Sequence, residues 1–191
     1  MRCLEAKDPY TAFHAERVAA IARDIALKMG LPPEQVNAVQ TGAWLHDLGK
    51  LKIPEVILTK EGKLSPEEWA IITKHPEYGV ELLQPLEPLL GQVFPVILHH
   101  HERWDGRGYP EQKAGCEIPL LARIVALADA YEAMTSERPY RAAKDPEEAL
   151  GEVQSLAGTQ FDPQVVEAFT LAWRENPPWR NKTEYSRNTI F

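Results

Sequence analysis

Cysteine is scarce in this chain, and its scarcity excludes two classes of small protein. Among 191 residues only Cys3 and Cys116 are cysteines, and they lie far apart and outside any CxxC spacing. A disulfide framework or a zinc finger needs more thiols at closer spacing. Both are therefore excluded, and a reducing compartment is expected.

Long apolar runs and excess basic charge are also lacking. No segment approaches the roughly 20 consecutive apolar residues that a membrane span needs. Residues 1–5 do not form the apolar core of a signal peptide. The formal net charge is -7, which argues against DNA or an anionic membrane as the main partner, since both attract basic proteins. We expect a cytoplasmic protein.

The patterning that is present is helical. Apolar residues make up 44% and charged residues 26%, as in an ordinary globular protein, and the length suits one domain. Apolar spacings, prolines and capping residues predict helices over residues 11–29, 32–48, from 65 onward, 77–83, 88–101, 119–136, 146–157 and 163–173. Residues 50–63 are expected to form a connector. The sequence predicts an all-α bundle of about seven to eight helices, with one domain over residues 1–175 and a polar tail over 176–191.

The six histidines all lie within the first 101 residues. A single histidine on an apolar face is usually a packed core residue, but His46 is followed by Asp47 near a predicted helix end. Adjacent helical residues point about 100° apart. An imidazole and a carboxylate placed there can therefore serve two metal positions, with the carboxylate between them. A pair that only caps the helix end is the alternative.

Further groups of the same chemistry follow along the chain. His100 and His101 are consecutive imidazoles, which are costly to bury without partners. Asp129 interrupts an apolar stretch, so it is either paired or metal-bound if buried, or else lies on a solvent-exposed face. Imidazole and carboxylate together suit divalent iron, manganese or zinc.

Cationic and aromatic residues accompany this set. Lys50 follows Asp47 by three residues and can share its face. Arg138 and Arg141 could match phosphate oxygens, or could only complement the dipole of a helix end. Tyr109, in the glycine-rich loop 105–110, could stack on a base or could only pack. Two tryptophans, Trp44 and Trp69, are expected in the core.

These motifs together resemble those of a known family. Residues 8–18 precede His46-Asp47-Leu48-Gly49-Lys50, and residues 75–79, 100–110, 128–130 and 136–141 follow at matching distances. An HD dipeptide alone is weak evidence, but HHExxDGxGYP behind HDxGK is highly specific. From Glu5 to Phe169 the chain resembles the HD-GYP branch of the HD-domain phosphohydrolases.

The resemblance implies a helical HD bundle with a centre of two or three metal ions, usually iron or manganese. The implied ligands are His14, His46, Asp47, His75, His100, His101 and Asp129, with Asp47 bridging. His99 precedes the family pair and is not an implied ligand. Lys50, Arg138 and Arg141 would hold the substrate phosphates, and Tyr109 would help to shape the pocket.

The implied activity is hydrolysis of cyclic di-GMP to the linear dinucleotide pGpG, and in some members onward to GMP. Members with a third metal carry a glutamate one helical turn before the first histidine, where this chain has Tyr10. We therefore predict two metals and pGpG as the product. Our hypothesis is that the two metals activate a hydroxide for attack on the phosphate, with Asp47 and Lys50 as catalytic residues.

Two other functions stay open from the sequence. One is an HD-type phosphohydrolase acting on another nucleotide, against which the GYP loop argues. The other is a catalytically silent module that binds cyclic di-GMP or a protein and signals by docking. The family usually joins this module to a sensory domain, so the expected partners are a sensory domain, a diguanylate cyclase or a second copy of the chain.

Overall fold

The computed structural model of the chain describes residues 11–137 and 142–180. Ten α-helices occur within these ranges: α1 (Thr11–Lys28), α2 (Pro33–Leu45), α3 (Glu55–Leu58), α4 (Pro66–Ile72), α5 (His75–Leu83), α6 (Glu87–Leu90), α7 (Phe94–His99), α8 (Leu120–Thr135), α9 (Pro146–Ser155) and α10 (Pro163–Arg174). Short 3₁₀ turns cover Leu48–Lys52, Gln84–Leu86, Gly115–Glu117 and Pro178–Arg180. No β-strand occurs in the described ranges, where Ala157 and Phe161 form an isolated bridge. The predicted all-α class is confirmed.

Each of the eight predicted helical segments contains a helix, but three boundaries differ. The second helix ends at Leu45, and a 3₁₀ turn continues over Leu48–Lys52. The helix predicted over 88–101 is divided into α6 and α7, because Pro95 lacks an N–H and starts a new first turn at Phe94. The predicted connector 50–63 contains α3, which begins directly after Pro54.

The main core lies between α1, α2, α8, α9 and α10. One face of α1 places Val18 and Ile25 in it, and the apolar face of α8 adds Leu127 and Tyr131. Tyr131 is fully buried, and its hydroxyl accepts a hydrogen bond from Trp173 Nε1 at 2.9 Å. The core holds α1 against α8, the two helices that carry the first and last candidate ligands.

The tryptophans that are buried are not the ones that the sequence predicted. Trp44 and Trp69 were expected in the core, which is wrong, because their exposed fractions are 44% and 54%. Trp179, in the predicted tail, is instead buried, and its Nε1 donates to Asp24 Oδ2 at 2.8 Å. Residues 176–180 therefore still pack on the bundle, while residues 181–191 lie outside the described ranges.

The short helix α4 has a complete N-terminal cap, as its sequence predicts. Ser65 Oγ accepts from the backbone N–H of Glu68 at 3.2 Å, and the Glu68 carboxylate accepts from the backbone N–H of Ser65 at 2.6 Å. Such a capping box stabilises a helix locally. Within the described ranges, no helix has both the length and the apolar character needed to cross a membrane.

Candidate metal centre

Five parts of the fold bring the seven predicted ligands together. They lie on α1, directly after α2, at the start of α5, directly after α7, and in the second half of α8. Their ligand atoms form two groups, and within each group all lie within 4.8 Å of one another: Asp47, His75, His100 and His101 in the first, His14, His46 and Asp129 in the second. Residues up to 115 positions apart in sequence (14 to 129) therefore share one site.

Three of the histidines are oriented by carbonyls in the last turn of the helix that precedes each of them. Each donates from Nδ1 to the backbone carbonyl three residues earlier: His46 to Ala43 at 2.6 Å, His75 to Ile72 at 2.8 Å, and His100 to Ile97 at 2.7 Å. A carbonyl oxygen can only accept, so Nδ1 carries the proton in each ring. In the neutral imidazole, Nε2 then presents its lone pair, which is the form that binds a metal.

Burial keeps the rings of the first group neutral. It lowers the pKa of His75, and it lowers that of His100 well below the ordinary value. Burial also lowers the pKa of His101 to about 3. These imidazoles are therefore uncharged near neutral pH, so a cation would not have to displace a proton from them.

The Nε2 atoms are arranged in a way that fits a cation. His75 Nε2 and His100 Nε2 lie 3.2 Å apart, although both rings carry their proton on Nδ1. Two lone pairs then face each other with no proton between them. His46 Nε2 is buried and has no hydrogen-bond partner in the described part of the chain. Divalent metal ions at the two groups would satisfy these three atoms, so the residues present fit such ions.

Asp47 lies between the two groups. Its Oδ1 is 3.5 Å from His75 Nε2, and its Oδ2 is 3.5 Å from His46 Nε2. Burial acts to raise the pKa of Asp47, but Lys50 and the surrounding imidazoles outweigh it and hold the pKa well below its usual value. Lys50 Nζ lies 2.5 Å from Oδ2. The carboxylate is therefore ionised and has one oxygen directed to each group.

Glu132 is the residue that the sequence reasoning missed. It is buried and accepts a hydrogen bond from His14 Nδ1, and its other oxygen accepts from Arg17 Nε at 2.8 Å and from Ser136 Oγ. His14 Nε2 lies 3.2 Å from Asp129 Oδ1. A carboxylate that accepts from one ring nitrogen fixes the orientation of the other towards a metal.

Glu132 lies on the same face of α8 as a predicted ligand. Asp129 and Glu132 are three residues apart on α8, so they share a helix face. Burial acts to lower the pKa of His14, but hydrogen bonds to these two carboxylates outweigh it and raise the pKa to about 10. The second group therefore holds a proton on His14 that a metal would displace.

Tyr109 lies at the entrance to the first group. Its ring stacks on that of His101, with 4.8 Å between the ring centroids and an angle of 27°. Its backbone N–H donates to His101 O at 3.2 Å. Gly108 allows this close approach, because a Cβ there would lie 2.5 Å from that same oxygen. Burial raises the pKa of Tyr109, so it remains a neutral phenol.

Four residues named in the sequence analysis remain: His99, Tyr10, Arg138 and Arg141. His99 is buried and belongs to neither group. Tyr10, Arg138 and Arg141 lie outside the described residues. The two-metal prediction based on Tyr10 and the phosphate-binding roles of both arginines therefore stay predictions.

Comparisons with known proteins identify the family to which this fold belongs. A family model described as the HD domain matches residues 1–165. A cyclic di-GMP phosphodiesterase of Thermotoga maritima is 45% identical over 172 residues, which cover 90% of this chain and 47% of that protein. A 3'3'-cGAMP-specific phosphodiesterase 2 of Vibrio cholerae is 39% identical over 173 residues, which cover 90% of this chain and 33% of that protein.

A solved structure shares the fold. An HDG"Y"P protein from Bdellovibrio bacteriovorus superposes with a TM-score of 0.69 at 22% identity, covering 86% of this chain and 52% of that one. The helical bundle predicted from the sequence is thereby confirmed. The chain spans about half the length, or less, of the curated relatives that it matches.

Proposed function

This chain belongs to the HD domain family, and from that membership we propose that it is a metal-dependent phosphodiesterase that hydrolyses cyclic di-GMP to pGpG. The observation that carries the proposal is the pair of ligand groups with Asp47 between them. Two relatives are named as cyclic di-GMP phosphodiesterases, which supports the substrate.

The seven residues of the two groups are the proposed metal ligands. Asp47 would bridge, because its two oxygens are directed to different groups. Two ions of iron or manganese are proposed, since the donor set mixes imidazole with carboxylate and contains no thiolate. When bound, a pair of divalent cations supplies Lewis-acid activation of water and of the phosphate.

The protein groups around the ligands have separate proposed roles. Lys50, held against Asp47, would offset negative charge on the non-bridging phosphate oxygens. Tyr109 would form one wall of the pocket, because its ring already covers His101. Arg138 and Arg141 would bind phosphate as well. All four groups position and stabilise the diester without forming a bond to it.

A second candidate substrate is 3'3'-cGAMP. A relative named as specific for that nucleotide is 39% identical, only slightly below the cyclic di-GMP phosphodiesterase at 45%. Both substrates are purine dinucleotides closed by two phosphodiesters, so the same metal centre serves either. A sensory domain, a diguanylate cyclase and a second copy of the chain remain the proposed partners.

The test is turnover of both nucleotides by the purified chain, loaded with manganese or, without air, with ferrous iron. We expect about two metals per chain and conversion of cyclic di-GMP to pGpG. Asp47→Asn should lose both metal and turnover. The matched control is Glu175→Gln, which also removes one negative charge but lies at the far end of α10, paired with Lys28.

The outcomes separate the alternatives. If the metal-loaded chain hydrolyses only 3'3'-cGAMP, then that nucleotide is the substrate in place of cyclic di-GMP, and the proposed mechanism stands. Metal binding with no hydrolysis of either nucleotide would overturn the proposed activity and favour the silent docking module. Full turnover by Asp47→Asn would contradict the bridging role.

A further inference from the structure

Trp69 is an exposed tryptophan on a helix that contributes nothing to the core. Its exposed fraction is 54%, and none of the seven residues of α4 is buried. Large aromatic side chains are costly to leave in water and are enriched where they bind ligands or partners. Packing of the described core therefore does not account for this side chain.

The helix is nevertheless fixed relative to the metal centre. Its last residue, Ile72, provides the carbonyl that accepts from His75 Nδ1 at 2.8 Å. The capping box at Ser65 and Glu68 stabilises its other end. Trp69 is three residues before Ile72, so its position is tied through one helical turn to a candidate ligand.

A continuous series of rings leads from Trp69 into the site. The Trp69 ring meets the Tyr109 ring at 80° with 6.2 Å between centroids. Tyr109 in turn stacks on His101 at 4.8 Å and meets the edge of His75 at 6.4 Å. The exposed Trp69 side chain is thus separated from two candidate ligands by a single aromatic ring.

We propose that Trp69 is a stacking platform for a purine base of the substrate, an inference that rests on the proposed function. A cyclic dinucleotide with one phosphate at the metal centre must extend its bases outward, because the centre itself is lined by imidazoles and carboxylates. Stacking on an aromatic face strengthens binding and tolerates any base. Trp69 therefore sets affinity for purine dinucleotides without choosing between guanine and adenine.

The test compares steady-state kinetics of the metal-loaded wild type with three variants. Trp69→Ala is expected to raise KM for cyclic di-GMP about tenfold, within the range measured for loss of one base stack, and to leave kcat unchanged. Trp69→Phe should recover part of the loss. Trp44→Ala is the matched control, because Trp44 is similarly exposed, at 44%, and contacts no other aromatic ring within residues 11–137 and 142–180.

Two further readouts test the role itself. The KM of Trp69→Ala for 3'3'-cGAMP should rise by the same factor, so the ratio of kcat/KM for the two nucleotides stays constant. With methyl p-nitrophenyl phosphate, a diester that has no base, Trp69→Ala and wild type should differ less than twofold. Metal content per chain should be equal in all variants.

The possible outcomes distinguish failure of the stacking role from failure of the proposed phosphodiesterase activity. Unchanged KM in an active Trp69→Ala variant overturns the stacking role and leaves the proposed function intact. A lower kcat together with lost metal also overturns it, since Trp69 would then act structurally through Tyr109. If the wild type hydrolyses no purine cyclic dinucleotide, the proposed function fails and the inference fails with it.

Discussion

At the scale of single residues, the centre depends on how each imidazole is oriented. His46, His75 and His100 are held by carbonyls in the last turn of the preceding helix, while His14 depends on the carboxylate of Glu132 across the bundle. That carboxylate also accepts hydrogen bonds from Arg17 and Ser136. Glu132 therefore links the first candidate ligand to the segment that follows α8.

Replacing Glu132 with Gln tests this role. The amide keeps a similar shape but removes the charge that orients His14, so metal affinity should fall about 10- to 100-fold. Affinity is measured by competition with a fluorescent chelator. Glu152→Gln, on the surface of α9 and paired with Lys144, is the control and should bind as wild type. Equal affinities for the two variants would show that Glu132 has only a packing role.

The residues that sequence could identify are those whose chemistry stands out locally. His46-Asp47 and His100-His101 are informative because adjacent groups of this chemistry are costly to bury without partners, and Asp129 because it interrupts an apolar run. Glu132 escaped because a glutamate in a helix is ordinary until its partner is known. That partner is His14, which lies 118 positions away in the sequence, and no local sequence pattern predicts a contact over such a distance.

At the scale of elements, the centre depends on close approach between backbones. The 3₁₀ turn Leu48–Lys52 packs on α5 so tightly that a Cβ on Gly49 would lie 1.8 Å from His75 O and 2.5 Å from Gly79 N. This contact holds Asp47 beside His75. Sequence predicted a helix break at Gly49, but the need for a glycine comes from the neighbouring helix and not from the turn.

Gly49→Ala should therefore disrupt both stability and the site. We expect a loss of about 3 kcal/mol in the free energy of unfolding, at the upper end for overpacking, together with weaker metal binding. Urea denaturation measures the change in the free energy of unfolding. Gly151→Ala in α9 is the matched control, since a Cβ added at Gly151 would have nothing within 4 Å. That variant should gain up to about 1 kcal/mol through helix propensity. Equal stability of the two variants would contradict the packing argument.

At the scale of the whole molecule, the candidate ligands connect distant parts of the bundle. Helical periodicity was sufficient to predict the bundle, because amphipathic faces such as that of α1 must be buried together. It did not predict the exposure of Trp44 and Trp69, because exposure depends on which helix faces meet. It also did not predict the division between α6 and α7, which comes from Pro95 and not from the apolar spacing. The relative positions of α1 and α8 are likewise set by long-range packing.

Metal should therefore stabilise the whole fold. An ion that binds only the native state at about 100 times its Kd contributes about 2.7 kcal/mol, which corresponds to a rise in Tm of roughly 5–10 °C for a chain of this size. Differential scanning fluorimetry after chelation and after manganese addition measures the shift. Asp47→Asn should show none. A Tm that is independent of metal in the wild type would mean that the ligands do not close around an ion.

The distance along the chain between His14 and Asp129 also has a consequence for biosynthesis. Translation proceeds from the N-terminus at about 5–20 residues per second, so His14 leaves the ribosome on the order of ten seconds before Asp129 is made. During that interval His14 has neither Asp129 nor Glu132 beside it, and the second ligand group does not exist. The proposed metal centre can therefore be complete only after α8 has emerged and docked, which would make metal loading a late step in maturation.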